Sequence, residues 1–155
     1  MKLVKAVIVG LLLPFTVLFA VEQKAVFDLT TGDQATIEKH LINNIDSLAR
    51  YYRANDIDFK VVVVISGNAY KYFVQEIGDS PYKGDTELIQ AQEKLAPLLA
   101  KLHRDYHVEF DMCKAGMKAR KIDKKVLYNY VKSDLVKSVY LIKWQNAGYA
   151  YLPVH

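Results

Sequence analysis

Apolar residues along this chain follow two patterns, and the two patterns alternate. Residues 59–65 (Phe-Lys-Val-Val-Val-Val-Ile) form a nearly continuous β-branched run. Such a run, with little alternation of apolar and polar positions, is typical of a strand covered on both faces, as in a parallel sheet. Further strands are predicted at residues 24–29, 107–112, 131–133 and 149–152.

Between these strands, apolar residues recur at helical spacing. The first predicted helix begins after Asp33, a side chain suited to the N-cap, and ends near residue 54. A second helix begins at Asp85 or Thr86, and Pro97 inside it predicts a kink or a break into two helices. Other helices are predicted after residue 68, at residues 124–130, and from residue 135 to a stop at Gly148.

Strands that alternate with helices in this way predict an α/β fold. The expected architecture is a three-layer α/β/α sandwich with a mainly parallel sheet of about five strands. No repeat, low-complexity tract or linker interrupts the pattern after residue 20. Residues 21–155 are therefore expected to form a single domain.

The first 20 residues are set apart from this pattern. Lys2 and Lys5 precede an apolar stretch at residues 6–13, and Ala20 occupies the small position before a cleavage site. That order predicts a signal peptide over residues 1–20 and a periplasmic location for the exported protein. The alternative is an uncleaved membrane anchor, although the stretch is shorter than the roughly 20 residues that span a bilayer.

Charge and cysteine content narrow the function classes. The formal net charge is +4, and removal of Lys2 and Lys5 with the first segment lowers it to +2. Nucleic-acid binding is therefore not expected, because the remaining chain has no large basic excess. A single cysteine excludes a disulfide scaffold and a Cys-x-x-Cys redox pair.

That single cysteine, Cys113, follows the strand predicted at residues 107–112 and precedes a basic stretch. Ligands bind at the carboxyl ends of strands in open α/β sheets, so Cys113 is the candidate catalytic residue. Nearby cations, Lys114, Lys118 and Arg120 among them, favour the thiolate over the thiol. Strand alternation places Asp111 on the same face, where its charge would oppose this effect. The competing interpretation is a buried structural cysteine.

Other candidate residues surround this position. Ser66, Gly67, Asn68 and Tyr70 follow the strand at residues 59–65 and are expected to line a small pocket near Cys113. Lys114, Lys118 and Arg120 would bind an anionic sulfur compound or an acidic partner, or would form only a solvated helix surface. No metal site and no cofactor site are predicted, because the spacing patterns of such sites are absent.

The order of these parts resembles the DsrE/DsrF-like family. The resemblance rests on the valine-rich strand with Ser66-Gly67-Asn68, on Cys113 with Ala115, Lys118, Ala119 and Arg120, and on the closing segment at residues 144–151, Trp-Gln-Asn-Ala-Gly-Tyr-Ala-Tyr. It implies an α/β/α fold and a homo-oligomer, either a trimer or a hexamer.

In sulfur-transfer members of that family, the cysteine matched by Cys113 carries sulfur as a persulfide. The resemblance therefore implies a sulfur-transferase-like carrier without a cofactor, and the first 20 residues predict that it is exported. Its partners would be a sulfur donor or acceptor protein or a small sulfur compound. The alternative is a non-catalytic oligomeric binding or assembly module in which Cys113 is buried. A membrane would be a partner only if the first segment stays uncleaved.

Overall fold

The computed structural model describes residues 22–155, and the predicted signal peptide lies outside these residues. The strands in the described part are β1 (Glu22–Leu29), β2 (Asp58–Ile65), β3 (Glu109–Met112), β4 (Val131–Lys132) and β5 (Ala150–Val154). The α-helices after the first are α2 (Thr86–Tyr106), α3 (Lys114–Ala119) and α4 (Lys137–Asn146). Short 3-10 helices occupy Ala69–Phe73, Ile77–Asp79 and Lys124–Val126.

The first helix, α1, covers residues 34–54 and is not regular throughout. An α-helical turn at Gln34–Thr36 passes into a π-helical stretch at Ile37–Ile42 and then into an α-helix at Asn43–Ala54. Its predicted N-cap is confirmed, because the Asp33 carboxylate accepts a hydrogen bond from the Thr36 N–H at 2.7 Å.

The five strands form one sheet in the order β4-β3-β2-β1-β5, and each neighbouring pair is parallel. The predicted α/β class with a parallel sheet of about five strands is therefore confirmed. In such a sheet the carboxyl ends of all strands meet at one edge. The segments that follow β1, β2 and β3 are thus brought together although they lie far apart in the sequence.

Alternate residues of the central strands pack into two separate apolar cores, which makes the fold three-layered. On β2, Val61, Val63 and Ile65 belong to the large core beneath α1 and α2, whereas Val62 and Val64 face a small cluster with Tyr140 and Trp144 of α4. This two-sided burial accounts for the continuous β-branched run in the sequence.

The other boundaries follow the predictions with three exceptions. Asp85 is the N-cap of α2, since its carboxylate accepts from the Leu88 N–H at 2.9 Å. Gly148, with φ at +87°, follows the end of α4 as predicted. His107, expected in β3, instead ends α2 in the left-handed conformation at φ +54°. Of the kink or break predicted at Pro97, the break does not occur, since Pro97 lies inside a single helix.

The third exception is the helix predicted at residues 124–130, which is wrong beyond its first turn. After the 3-10 turn at Lys124–Val126, Leu127 is extended and forms an antiparallel bridge with Val74, and residues 129 and 130 form a turn. The Tyr128 N–H donates to the Phe73 carbonyl at 3.3 Å. Pairing with a distant backbone segment therefore overrides the helical spacing of the apolar side chains.

No helix among residues 22–155 is both long enough and apolar enough to cross a membrane.

The segments that follow β1 and β2 lie close together at Thr30 and Gly67, and this contact predicts how substitution of Gly67 changes the stability of the protein. Gly67 has φ at +61°, and a Cβ atom there would lie 2.3 Å from the Thr30 carbonyl oxygen. Gly84 has φ at +85° but no atom within 4 Å of the same position. Gly84→Ala is therefore expected to cost about 1 kcal/mol from the left-handed conformation alone.

Gly67→Ala is expected to cost about 1–3 kcal/mol more than Gly84→Ala, because the backbone of the neighbouring segment must also move. Urea denaturation of both variants and the wild type measures the free energies of unfolding. Equal losses for the two variants would contradict a close approach at Gly67.

Candidate functional site

Cys113 lies at the carboxyl end of β3, in the N-cap position of α3. Its N–H donates to the Ile65 carbonyl at 2.9 Å, which continues the β2–β3 pairing by one residue. The residue is 8 % exposed and contacts the large apolar core. The predicted location at the ligand-binding edge of the sheet is therefore where the structure places this thiol.

The environment of the sulfur favours the thiolate. Burial raises the pKa of Cys113, but hydrogen bonds to the sulfur oppose burial and bring the pKa below its ordinary value. The groups that favour the charged form are the N–H groups of Gly116, Lys137 and Ala115 and the Tyr70 hydroxyl beside the sulfur. The thiolate is the nucleophilic form of cysteine, so this arrangement supports reactivity at the sulfur.

Tyr70 connects Cys113 with the β2 edge. Its ring is buried, and its hydroxyl donates to the Cys113 carbonyl at 3.0 Å while lying beside the sulfur. Burial raises the pKa of Tyr70, so the hydroxyl keeps its proton and remains a donor. A Cβ atom on Gly116 would lie 1.8 Å from the Tyr70 hydroxyl oxygen, so only glycine fits at residue 116 beside this contact.

Arg120 covers the outer side of Tyr70. Its guanidinium carbon lies 4.6 Å from the centroid of the Tyr70 ring, and one of its amino groups donates to the Gly67 carbonyl at 2.5 Å. The guanidinium therefore contacts two of the predicted pocket residues, Tyr70 and Gly67.

Asn68 and Arg120 line a surface cleft of about 520 Å³ together with Gly32, Asp33, Lys71 and Tyr82. Cys113 does not line this cleft. Tyr70 lies between Cys113 and Arg120, which is one of the residues that line the cleft. Ser66 is buried under the β2 edge, where its N–H donates to the Leu29 carbonyl at 2.9 Å. Of the predicted pocket residues, Tyr70 is thus in direct contact with Cys113.

Lys114 and Lys118 lie on the other side of α3. They line a second cleft, of about 500 Å³, with Met117, Ile122, Lys124, Ser133 and Asp134. The basic stretch of the sequence is therefore divided between two surfaces. Arg120 faces the Tyr70 side, and the two lysines face the β4–α4 connection.

Asp111 differs from the sequence expectation. It faces α4, where its carboxylate accepts from the Trp144 indole N–H at 2.8 Å, and burial raises its pKa. Cys113 lies beyond the end of β3, so the strand alternation that linked the two residues no longer applies. The carboxylate thus forms no part of the hydrogen bonding at the sulfur described above.

Sequence reasoning missed the donors at Gly116 and Lys137. A glycine three residues after the cysteine was the available signal for the first. Lys137 lies 24 positions from Cys113 and carried no signal, because only the folded sheet brings the start of α4 to the sulfur.

Metal-binding side chains are not gathered at the site. Among residues 22–155, no three His, Cys, Asp or Glu side chains are arranged to hold a metal ion. The His103 Nδ1 atom lies 3.0 Å from the Val108 carbonyl oxygen, and the ring stacks on Tyr130. His107 ends α2 at the opposite edge of the sheet.

The contact between Tyr70 and Cys113 generates the second prediction. Tyr70→Phe removes the hydroxyl that lies beside the sulfur and favours its charged form, so the pKa of Cys113 should rise. The pH dependence of iodoacetamide alkylation measures this pKa. Tyr72→Phe is the matched control, because the Tyr72 hydroxyl donates to the Gly32 carbonyl at 2.8 Å instead.

Both variants lose one hydroxyl–carbonyl hydrogen bond, so both should lose about 1 kcal/mol of stability. Only Tyr70→Phe should move the alkylation profile to higher pH. An unchanged profile in Tyr70→Phe, or equal shifts in both variants, would contradict the role of this hydroxyl.

Comparison with one solved structure agrees with the fold. A protein of unknown function from Methanobacterium thermoautotrophicum, MTH1491, is 18 % identical with a TM-score of 0.64, over 84 % of this chain and 98 % of that chain. The ychN protein from E. coli is also 18 % identical over the same shares, with a TM-score of 0.47. No curated protein matches the chain.

The sequence itself is matched by a family. The match to the DsrE/DsrF-like family extends over residues 24–154, which is nearly the whole of the described part. The resemblance found in the sequence is therefore confirmed, and this chain belongs to the DsrE/DsrF-like family.

Proposed function

We propose that this protein is a sulfur carrier that holds sulfane sulfur as a persulfide on Cys113. Membership of the DsrE/DsrF-like family supports a role of the sulfur-relay type. The observation that carries the finer assignment is the set of donors to the sulfur, which lowers the pKa of Cys113.

The proposed loading step is a displacement at sulfur. The Cys113 thiolate attacks the sulfane sulfur of a polysulfide or of thiosulfate and forms a new S–S bond. The original S–S bond breaks, and its electron pair leaves with the shortened polysulfide or with sulfite. Unloading is a second displacement, in which Cys113 is the leaving group. An acceptor nucleophile attacks the outer sulfur of the persulfide, and the Cys113 thiolate leaves.

The surrounding residues have defined parts in this proposal. The N–H groups of Gly116 and Lys137 stabilise the negative charge before attack and after release. Arg120, over the Tyr70 ring, and the lysine pair Lys114 and Lys118 supply positive charge on the two sides of α3. Each side thereby attracts an anionic donor, or an acidic surface of a partner protein.

We also propose that the protein is exported to the periplasm and acts as a homo-oligomer. Residues 1–20 support export. An apolar patch, formed by Leu135, Val136, Val139 and Ile142 on α4 and the two residues before it, supports association because such exposed patches mark interaction sites.

The persulfide is tested by intact mass. Protein purified from cells is reduced and incubated with polysulfide or thiosulfate, and its intact mass is then measured by mass spectrometry. We expect a gain of one sulfur atom that a thiol reductant removes and that Cys113→Ser abolishes. The same mass shows whether residues 1–20 have been cleaved. A wild-type protein that gains no sulfur, or a gain that persists in Cys113→Ser, would refute the carrier role.

The apolar patch is tested by substitution. Ile142 is 59 % exposed on α4, and Ile142→Lys is expected to convert the oligomer to a monomer in light scattering coupled to size exclusion. Ile89→Lys, at a residue 43 % exposed on α2, is the control and should leave the mass unchanged. A monomeric wild type would refute the oligomer, and an intact Ile142→Lys oligomer would exclude this patch.

A further inference from the structure

Two half-buried cations in the described part of the chain lack an ionic partner there. The half-buried basic side chains among residues 22–155 are Lys24, Lys71, Lys101, Arg120 and Lys137. Lys24, Lys101 and Lys137 each pair with a carboxylate. Lys71 and Arg120 form no ion pair within the same residues. Withdrawing a charge from water is costly unless another charge compensates for it, so an anion from solution would stabilise both side chains.

Lys71 and Arg120 line the same cleft. Its volume is about 520 Å³, which is within the usual range for small-ligand sites. The cleft lies at the carboxyl edge of the sheet, between the segments that follow β1, β2 and α3, where open α/β sheets bind ligands. The other residues that line it are Gly32, Asp33, Asn68 and Tyr82.

The Arg120 guanidinium is held in place and still has donors to offer. One amino group donates to the Gly67 carbonyl at 2.5 Å, and the guanidinium carbon lies 4.6 Å from the centroid of the Tyr70 ring. Its other N–H groups have no hydrogen-bond partner among residues 22–155. A guanidinium fixed in this way presents a planar set of donors, which suits the oxygen atoms of an oxyanion.

Lys71 is supported by contacts that leave its ammonium available. The ammonium lies 5.0 Å from the centroid of the Tyr72 ring, and the Tyr72 hydroxyl donates to the Gly32 carbonyl at 2.8 Å. The Lys71 carbonyl accepts from the Gln92 side-chain amide at 3.1 Å. No acceptor among residues 22–155 bonds to the ammonium, so its N–H groups can donate to a ligand.

Among residues 22–155, Asp33 is the one acidic side chain that lines the cleft. One of its carboxylate oxygens accepts from the Thr36 N–H at 2.7 Å, as the N-cap of α1. The two cations therefore outnumber the acid, and the charge of the cleft is positive. Asn68 and Tyr82 add uncharged donor groups to its lining.

We propose that this cleft binds a tetrahedral oxyanion, with Lys71 and Arg120 as its charged ligands. Sulfate and phosphate share the chemistry that such a pair recognises, namely negative charge on several acceptor oxygens. The inference goes beyond the proposed function, because Tyr70 separates this site from Cys113 and binding here needs no reaction at the sulfur.

The experiment is calorimetric titration of the reduced protein with sulfate and with phosphate at constant ionic strength. We expect saturable binding of one anion per chain, and the anion that binds more tightly shows whether the natural ligand is a sulfur oxyanion or a phosphate compound. Neither anion holds sulfane sulfur, so the result is separate from that of the persulfide test. Failure of both anions to bind saturably would overturn the proposal.

Substitution of the two cations tests their part in binding. Lys71→Met removes a charge without breaking a side-chain hydrogen bond among residues 22–155, so the variant should fold and bind about tenfold more weakly. Arg120→Met should weaken binding by a similar factor, and Lys71→Arg should retain it. An unchanged affinity in Lys71→Met or Arg120→Met would overturn the proposal.

Lys39→Met is the matched control for net charge. Lys39 is exposed on α1, forms no ion pair within residues 22–155 and does not line the cleft. Its removal should change the affinity by less than about twofold, because salt screens distant surface charges. A loss equal to that of Lys71→Met would reduce the effect to net charge and overturn the proposal.

Asp33→Asn gives a test of opposite sign. Asparagine is as good an N-cap as aspartate, so the variant keeps the start of α1 and removes the negative charge from the cleft. The oxyanion should then bind about twofold more tightly or better, because one repulsion is lost. Unchanged or weaker binding would overturn the proposal.

Discussion

The hydrogen bonds that converge on the sulfur of Cys113 are the constraint on which the rest of the site depends. Their donors come from α3 and from the start of α4, and the hydroxyl of Tyr70, which follows β2, lies beside the sulfur. These segments are far apart in the sequence, and the parallel sheet brings them to one edge. Burial alone would leave the thiol protonated and inert. The donors reverse that effect, so a cysteine that is 8 % exposed still has a lowered pKa.

Helix α4 contributes to the core, to the environment of the Cys113 thiol and to the surface proposed for association. Its inner side chains, Tyr140 and Trp144, cover the second face of the sheet. The N–H of its first residue, Lys137, helps to lower the pKa of Cys113, and its outer face carries the exposed apolar side chains Val139 and Ile142. A partner that covers this face would therefore lie beside the reactive cysteine. Sulfur transfer between subunits or between proteins needs such proximity, because the persulfide is attached to one residue.

Local patterns predicted the parts of the fold that local physics determines. The β-branched run became the central strand, and Asp33 and Asp85 became N-caps as expected. The position of Cys113 at the sheet edge was also predictable, because strand ends follow from the order of elements. Tertiary pairing decided the rest. Leu127 is extended because it pairs with Val74. Asp111 lies beside Val64 and faces α4, whereas Cys113 contacts the large core because the chain leaves the strand after Met112. The contribution of Lys137 needs the folded sheet, since nothing near it in the sequence marks it.

The central claim is that Cys113 is a reactive thiolate and not a buried structural residue. The most direct measurement compares the rate of iodoacetamide alkylation in the native protein with the rate after denaturation, at a pH below the ordinary pKa of a cysteine thiol. Because hydrogen bonds favour the thiolate only in the folded state, the account predicts that the native thiol reacts and reacts faster than the unfolded one. A native thiol that stays unreactive until the protein is unfolded would contradict the account and favour the structural cysteine.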